Sequence, residues 1–261
     1  ERRALFTADL DNAGILIGDD GVVLIDSGPS RRYGEQLQAA VTHLTPLPVV
    51  MVIHTHHHPD HVLGAQVFTG AQCAALPEVQ QQLASEGGTL LDNMYRLNGA
   101  WMQGTQPSVM DHPLTPGRLQ VAGRELELIQ LTGHSAADLV IMDVASGTLF
   151  AGDLVFHDRA PTTPHANLPQ WLTALDALEA LQATTLVPGH GPLSPDGKAL
   201  AQTRAYLQWL GATLADGAER GLDTTELFAQ PLPAEFAALA VGEAEFRRSV
   251  IQLCPAFERA A

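Results

Sequence analysis

Starting at residue 49, the chain reads VVMVIHTHHHPDH, an apolar run that leads directly into a histidine cluster. The continuous, largely β-branched segment Val49–Ile53 predicts a strand that is buried on both faces. The polar residues after it fill the pattern His-x-His-x-Asp-His with His56, His58, Asp60 and His61. Because binding residues concentrate in loops at strand ends, we expect this loop to carry the chemistry of the protein.

The spacing of the cluster suits metal binding. In an extended segment, residues two apart point the same way, so His56 and His58 can hold one ion. Pro59 fixes a turn, after which Asp60 and His61 point towards a neighbouring position. Imidazole nitrogens with carboxylate oxygens are typical ligands of zinc and, less exclusively, of iron or manganese.

Three further candidate ligands follow predicted strands downstream. His134 lies in LTGHS, Asp153 in AGD and His190 in PGHG, and a glycine precedes each of them. Glycine lets the backbone turn sharply and brings a ligand close to an ion. Together with the histidine cluster, these residues predict a metal site assembled from several strand ends.

Predicted strands and helices alternate in two successive batches, which indicates α/β layering. We predict strands over 14–17, 22–25, 49–53, 71–76, 119–121, 125–131, 139–144, 148–151 and 185–187. We predict helices over 34–43, 61–68 and 171–181, from residue 77 towards residue 84, and through most of the chain from residue 195 onward, with a break at 231–233. Residues 85–117 lack clean periodicity and predict a helix followed by a long loop able to overhang the site.

The charge balance excludes several classes of partner. The chain carries 29 acidic and 14 basic residues, a formal net charge of −15. Nucleic acids and anionic membranes require fields of Lys and Arg, so we expect neither as a partner. The only lysine, Lys198, follows no glycine-rich loop, which excludes a P-loop. No apolar run approaches the roughly 18 residues of a membrane helix, so we expect no membrane insertion.

In these motifs the sequence resembles the metallo-β-lactamase superfamily. The resemblance implies an α/β fold, a four-layer αββα sandwich over residues 1–195, with a short helical C-terminal extension over 196–261 packed on it. It also implies a role for each candidate residue. His56, His58 and His134 would hold a first metal, Asp60, His61 and His190 a second, and Asp153 would bridge the two, with Asp26 orienting the histidine loop.

A finer resemblance concerns the segments HHHPDHVLG (56–64), DLVF (153–156) with the following RAP, and EFRRSVIQLCP (245–255). They are similar to the quinoprotein relay system zinc metallohydrolases, which implies a periplasmic location and association with a quinoprotein dehydrogenase system. Class B1 lactamases have a cysteine at the position of Asp153, and class B3 enzymes lack the bridging aspartate. The ligand set therefore looks closer to that of glyoxalase II-like hydrolases.

The resemblance implies a hydrolase with two zinc ions, although iron or manganese also suit the ligands. We expect a hydroxide shared by the two ions to attack a small ester, thioester, lactone or β-lactam, with Asp60 orienting it and moving a proton. One alternative is an oxidoreductase with a single iron, like the persulfide dioxygenases. Another is a non-catalytic metal- or cofactor-binding module of a quinoprotein pathway. In the loop after Asp153, His157 and His165 are candidates to line a substrate pocket, whereas His54 and His57 are predicted to support the site without binding metal.

Overall fold

The computed structural model describes residues 3–7, 11–107, 109–194 and 197–259. Within this part of the chain, eleven strands form one sheet of six strands and one of five. The strands of the first sheet are β1 (Arg3–Thr7), β2 (Asn12–Ile17), β3 (Val22–Ile25), β4 (Val49–Ile53), β5 (Gln72–Ala75) and β6 (His112–Pro113). Those of the second are β7 (Gly117–Val121), β8 (Arg124–Leu131), β9 (Asp138–Asp143), β10 (Thr148–Phe150) and β11 (Thr185–Val187).

The first sheet has its strands in sequence order, β1 to β6. β4 lies between β3 and β5 and is parallel to both, with Ile53 opposite Ile25 and Ala74. The last three residues of β4 are buried, as expected for a strand covered on both faces. The carboxyl ends of β3, β4 and β5 therefore meet at one edge, and the histidine cluster leaves the sheet there.

The second sheet has the order β11-β10-β9-β8-β7. Its strands are antiparallel except for β10 and β11, which are parallel and pair Phe150 with Val187. Their carboxyl ends precede the loops that contain Asp153 and His190, and β8 precedes the loop that contains His134. The second sheet thus delivers three candidate ligands to one edge.

Eight α-helices accompany the sheets in the described residues. They are α1 (Arg31–Leu44), α2 (Pro59–Val62), α3 (Pro77–Asn98), α4 (Leu168–Ala180), α5 (Lys198–Arg220), α6 (Thr224–Phe228), α7 (Ala234–Ala237) and α8 (Gly242–Glu258). Short 3₁₀ segments follow α2 at Leu63–Val67 and α3 at Gly99–Met102. No helix among the described residues combines the length and apolarity needed to span a bilayer.

Strand alternation sorts the apolar side chains into separate layers. From β3, Val23 and Ile25 face a core between the sheets that includes Leu128 and Ile141 of the second sheet. Val22 and Leu24, from the same strand, face the other way and pack against Tyr33, Leu37 and Val41 of α1, in the core outside the first sheet. A third core covers the outer face of the second sheet. The predicted αββα sandwich is confirmed.

The C-terminal helices share that third core with the sandwich. Leu149 of β10 and Trp171 of α4 belong to the same buried cluster as Leu207 of α5 and Phe246 of α8. The break predicted at 231–233 falls between α6 and α7. The predicted domain boundary, between residues 195 and 196, lies outside the described residues.

Strands β1 and β6 were not predicted. β1 pairs along its whole length with β2, from Arg3 opposite Leu16 to Thr7 opposite Asn12. β6 lies within the segment 85–117, predicted as a helix followed by a loop, and pairs with β5. α3 begins at Pro77 as expected and continues through the helix predicted at the start of 85–117, as one helix that ends at Asn98 and contains a pair of glycines that local propensity disfavours. Its residue Met94 packs with Val62 of α2 in a small separate core, so tertiary contacts extend this helix beyond its local preference.

We predict that Leu207→Ala lowers the free energy of unfolding by about 2–5 kcal/mol, because Leu207 is fully buried in the core shared by α5 and the second sheet. Denaturant titration followed by circular dichroism measures this change. Leu97→Ala is the control, since Leu97 is 70% exposed and its truncation should cost less than about 0.5 kcal/mol. Equal effects of the two substitutions would contradict a shared core.

Candidate metal centre

The loops at the carboxyl ends of β4, β8, β10 and β11 bring all seven predicted ligands together. One group contains His56, His58, His134 and Asp153, and a second contains Asp60, His61, Asp153 and His190. Within each group, one ligand atom from every residue lies within 4.8 Å of the others. Six of the seven side chains are buried, and Asp60 is 26% exposed at the rim.

Asp153 lies between the two groups and presents one oxygen to each. Its Oδ2 lies 3.9 Å from His56 Nε2 and 3.4 Å from His134 Nε2. Its Oδ1 lies 3.1 Å from His61 Nε2 and 3.3 Å from His190 Nε2. Ligand atoms bound tetrahedrally to one ion at about 2.0–2.1 Å are separated by roughly 3.3 Å. The carboxylate is therefore placed to contact two ions at once.

Several buried atoms of these groups have no hydrogen-bond partner. Such atoms are costly, because burial removes their water without a replacement. Divalent cations at the two positions would supply the missing partners. The residues therefore fit two ions, and the unpartnered atoms that face the two positions are His56 Nε2, His61 Nε2, His190 Nε2 and Asp153 Oδ1.

Asp26, at the end of β3, fixes the orientation of the histidine loop. Its Oδ1 accepts the Thr55 backbone N–H at 2.8 Å, and its Oδ2 accepts the Thr55 hydroxyl at 2.8 Å and His61 Nδ1 at 2.9 Å. Thr55 Oγ1 lies 2.9 Å from His56 Nδ1, whose proton it can accept. Both histidines thereby keep their protons on Nδ1 and leave Nε2 free for a metal. Asp26 itself adopts a left-handed φ of 59°.

A further chain of contacts leads outward from His58. Its Nδ1 lies 2.8 Å from His134 Nε2, inside the first group, and its Nε2 lies 2.8 Å from His165 Nδ1. His165 Nε2 in turn lies 3.1 Å from Glu86 Oε2 on α3. If His58 Nδ1 binds a metal, its Nε2–H donates to His165, whose Nε2–H donates to Glu86. This arrangement of donors satisfies both rings.

The loop that carries His190 is clamped from the opposite sheet. Asn12 Nδ2 donates to the backbone oxygens of Pro188 at 2.9 Å and Gly191 at 2.7 Å. The His190 ring stacks on Phe156 with centroids 5.2 Å apart and an interplanar angle of 8°. A Cβ on Gly189 would lie 2.0 Å from Asp153 Oδ1, so only glycine fits at this close approach.

The histidine loop is tied to the second sheet through the backbone. The Thr55 carbonyl accepts the N–H of Leu139 at 2.7 Å, at the start of β9. This bond and the clamp from Asn12 hold loops of opposite sheets against each other. These hydrogen bonds keep ligands from both sheets within 4 Å of Asp153.

The loop that carries His134 is held in two places. Its preceding Gly133 has φ 152° and lies so close to Trp171 of α4 that a Cβ would approach the Trp171 backbone to 2.4 Å. The Asp138 carboxylate accepts the Ser135 hydroxyl at 2.7 Å and its backbone N–H at 3.1 Å. Burial raises the pKa of Asp138 to about 7, and the hydrogen bonds from Ser135 limit the rise.

The carboxylates of the centre are held in their ionised form. Burial alone would raise the pKa of Asp153, but the charges of His190 and His61 keep it well below its usual value. The pKa of Asp60 is also lowered, since His61 and His190 outweigh the effect of burial. Both carboxylates are therefore negative and available to bind cations.

The histidines divide into two classes. Burial lowers the pKa of His56, His58 and His134 well below 6.5, so these rings are neutral. For His61 and His190 burial acts in the same direction, but facing carboxylates, Asp153 foremost, raise the pKa above its usual value. In the absence of metal the second group therefore retains protons that the first group has lost.

Some residues of the centre carried no sequence signal. Long-range contacts explain Asn12 and Glu86, whose partners lie far away in the chain. A short turn explains Asp138, which binds Ser135. No sequence motif marks any of the three. Thr55 lies inside the histidine cluster, where its hydroxyl could have been recognised as a partner for the adjacent ring.

The remaining histidines differ in position. His165 contacts His58, whereas His157 Nδ1 lies 2.9 Å from the Pro192 backbone oxygen. His54 lies 3.9 Å from Asp26, behind the centre. His57 is buried beside the first group, and neither of its ring nitrogens has a hydrogen-bond partner.

Comparison with known proteins gives relatives of modest identity. The chain is 21% identical over 252 residues to a linear primary-alkylsulfatase of Pseudomonas sp. (strain ATCC 19151), covering 80% of this chain and 47% of that protein. It is 27% identical over 174 residues to a hydroxyacylglutathione hydrolase of Xanthomonas euvesicatoria pv. vesicatoria (strain 85-10), covering 66% and 57%. The chain thus spans only about half the length of these curated relatives.

The fold has counterparts among solved structures. A metallo-beta-lactamase family protein from Thermus thermophilus superposes with a TM-score of 0.71 at 23% identity, covering 99% of this chain and 94% of that one. The sequence profile of the metallo-beta-lactamase superfamily matches residues 6–190, which include all seven candidate ligands. The chain therefore belongs to the metallo-beta-lactamase superfamily.

Proposed function

We propose that this protein is a dinuclear zinc-dependent hydrolase that acts on a small carbonyl substrate such as an ester, thioester, lactone or β-lactam. The observation that carries the proposal is the position of Asp153, with one carboxylate oxygen facing each histidine group. His56, His58 and His134 would hold the first ion and Asp60, His61 and His190 the second. A protein that used a single metal would have no need of the complete second group.

Zinc bound in these groups would supply a water of near-neutral pKa and a Lewis acid for the developing negative charge. The protein's own contribution is to orient and to move protons. Asp60 stays ionised and partly exposed at the rim, with its Oδ2 3.3 Å from His190 Nε2. It is placed to accept a hydrogen bond from the attacking water and to pass a proton towards the leaving group.

A second candidate is hydrolysis of a sulfate ester. One relative is an alkylsulfatase. In addition, the buried Nη1 of Arg159 has no hydrogen-bond partner, and its charge partly opposes the rise that Asp153 causes in the pKa of His190. A cation with a free donor beside the second group suits an anionic substrate. Alkyl sulfates therefore belong in the substrate panel beside the carbonyl compounds.

The deciding experiment measures metal content by inductively coupled plasma mass spectrometry on protein purified without added metal, and then turnover of the substrate panel. About two zinc ions per chain with turnover of a carbonyl substrate would support the proposal. About one iron per chain, with oxygen uptake on sulfur substrates, would replace it by an oxygenase. Two tightly bound ions without turnover across the panel would instead favour a non-catalytic binding module.

We further propose that the protein works in the periplasm with a quinoprotein dehydrogenase system. This proposal rests on the resemblance of the segments at 56–64, 153–156 and 245–255 to one subgroup of the family. Fractionation of the source cells, followed by affinity purification of the full chain, tests it. Recovery of the protein only with the cytosolic fraction would contradict the location.

Asp153→Asn should leave at most one tightly bound ion, since the neutral amide presents a single acceptor and no charge. Turnover should fall by more than the roughly 100-fold that loss of a supporting residue costs. Metal analysis after dialysis and steady-state kinetics measure both effects. Asp176→Asn is the matched control, because Asp176 is a 69% exposed carboxylate that pairs with Arg204, away from the centre. Two tight ions and full activity in Asp153→Asn would contradict the bridging role.

Asp26→Asn should weaken metal binding by about 10- to 100-fold. An amide offers one acceptor where the carboxylate offers two, so its NH2 group must face either the Thr55 backbone N–H or both the Thr55 hydroxyl and His61 Nδ1. Either orientation disturbs the contacts that fix the tautomers of both rings. Competition with a chromophoric chelator measures the affinity, and far-ultraviolet circular dichroism checks the fold. Unchanged affinity in a folded variant would show that Asp26 does not act through these rings.

Lowering the pH should release the second ion before the first. The pKa values of His61 and His190 are raised above 6.5 without metal, so protons compete there as the pH falls through the raised values. The histidines of the first group are neutral throughout this range, so the first ion loses affinity only at lower pH. Equilibrium dialysis between about pH 8 and pH 6 should show this stepwise loss. Simultaneous loss of both ions would contradict the division of the histidines.

A further inference from the structure

A third cluster of ligand-type side chains adjoins the first histidine group on its outer side. One ring nitrogen each of His57, His58 and His165 lies within 4.8 Å of the others. The Oε2 of Glu86, from α3, lies 3.1 Å from His165 Nε2 and 3.9 Å from His57 Nε2. These separations bracket the roughly 3.3 Å expected between two ligands of one tetrahedral ion.

His57 is the residue that this cluster leaves unexplained. Its side chain is fully buried, yet neither Nδ1 nor Nε2 has a hydrogen-bond partner. A neutral imidazole has a lone pair on one ring nitrogen, which can bind a cation. An isolated buried imidazole is costly, and a ligand on its free nitrogen would remove that cost.

We propose that His57, His165 and Glu86 form a third divalent-cation site, separate from the two groups joined by Asp153. Two imidazoles and one carboxylate are a ligand set for zinc and for other first-row divalent metals. The side chains of His165 and Glu86 are 31% and 42% exposed, so an ion can reach this site directly from solvent. The inner groups, in contrast, are buried apart from Asp60.

The third site is coupled to the first through the contact between His58 and His165. An ion on His165 Nε2 forces its proton onto Nδ1, which faces His58 Nε2 at 2.8 Å. When His58 Nδ1 also binds a metal, its Nε2 carries a proton as well, and the two N–H groups oppose each other. The third ion therefore binds more weakly than the inner two, and excess metal disturbs His58.

The test is a zinc-binding isotherm of the full chain, by equilibrium dialysis with metal analysis, for the wild type and Glu86→Gln. The amide oxygen introduced by Glu86→Gln still accepts the N–H of His165, so the variant keeps the contact that supports His58 while it removes the carboxylate ligand. We expect a weaker third equivalent in the wild type. In Glu86→Gln this equivalent should weaken by at least about tenfold while the two tight ones remain. Glu78→Gln, an exposed carboxylate in the first turn of the same helix, is the matched control.

His57→Leu provides a second, independent variant, since it keeps an apolar side chain in the buried position but offers no ligand. It should lose the third equivalent as Glu86→Gln does. Absence of a third equivalent in the wild type, or its persistence in both variants, would overturn the proposal. Equal weakening of all three equivalents in Glu86→Gln would also overturn it, because Glu86 would then act only through His58.

The result is separable from the proposed hydrolase function. In Asp153→Asn the inner ions should be lost or weakened, while the third equivalent remains sensitive to Glu86→Gln. Absence of hydrolysis in the wild type, with a third equivalent that is still sensitive to Glu86→Gln, would reject the function and keep the third site. Two tight inner ions with turnover and no third equivalent would do the reverse.

Discussion

The arrangement of the centre depends on a single buried carboxylate, that of Asp26. It receives three hydrogen bonds, two from Thr55 and one from His61, and through Thr55 it also governs the ring of His56. One ligand from each proposed metal position thus has its tautomer set by the same group. An ionised carboxylate accepts hydrogen bonds and donates none. It therefore imposes one arrangement of protons on the loop. Asp26 occupies this place because β3 and β4 are parallel neighbours that end at the same edge.

The sequence allowed the fold and the seven candidate ligands to be predicted because their signals are local. The apolar run before His54 predicts a buried strand, and the His-x-His-x-Asp-His spacing predicts a loop whose side chains can bind metal. The glycines before His134, Asp153 and His190 mark close approaches, as Gly189 against Asp153 illustrates. Family resemblance then supplied the order of the layers.

The residues that escaped prediction act through tertiary contact. Glu86 lies in the middle of α3 and looks like any solvated carboxylate until the fold brings it to His165, a partner 79 positions further along the chain. Asn12 begins an ordinary strand and is explained only by the loop at Gly191. β1 was missed for the same reason, since its pairing with β2 and not its own composition determines its structure.

The clamp between the C-terminal helices and Phe156 has a thermodynamic consequence. Thr203 of α5 donates to the Phe156 carbonyl at 2.9 Å and accepts its N–H at 3.0 Å, and the same Phe156 stacks on His190. Docking of the helices and occupation of the proposed second metal position would therefore favour the same arrangement of one residue. By linkage, each would strengthen the other to the same extent, so the helical tail would contribute to metal affinity as well as cover the sheet.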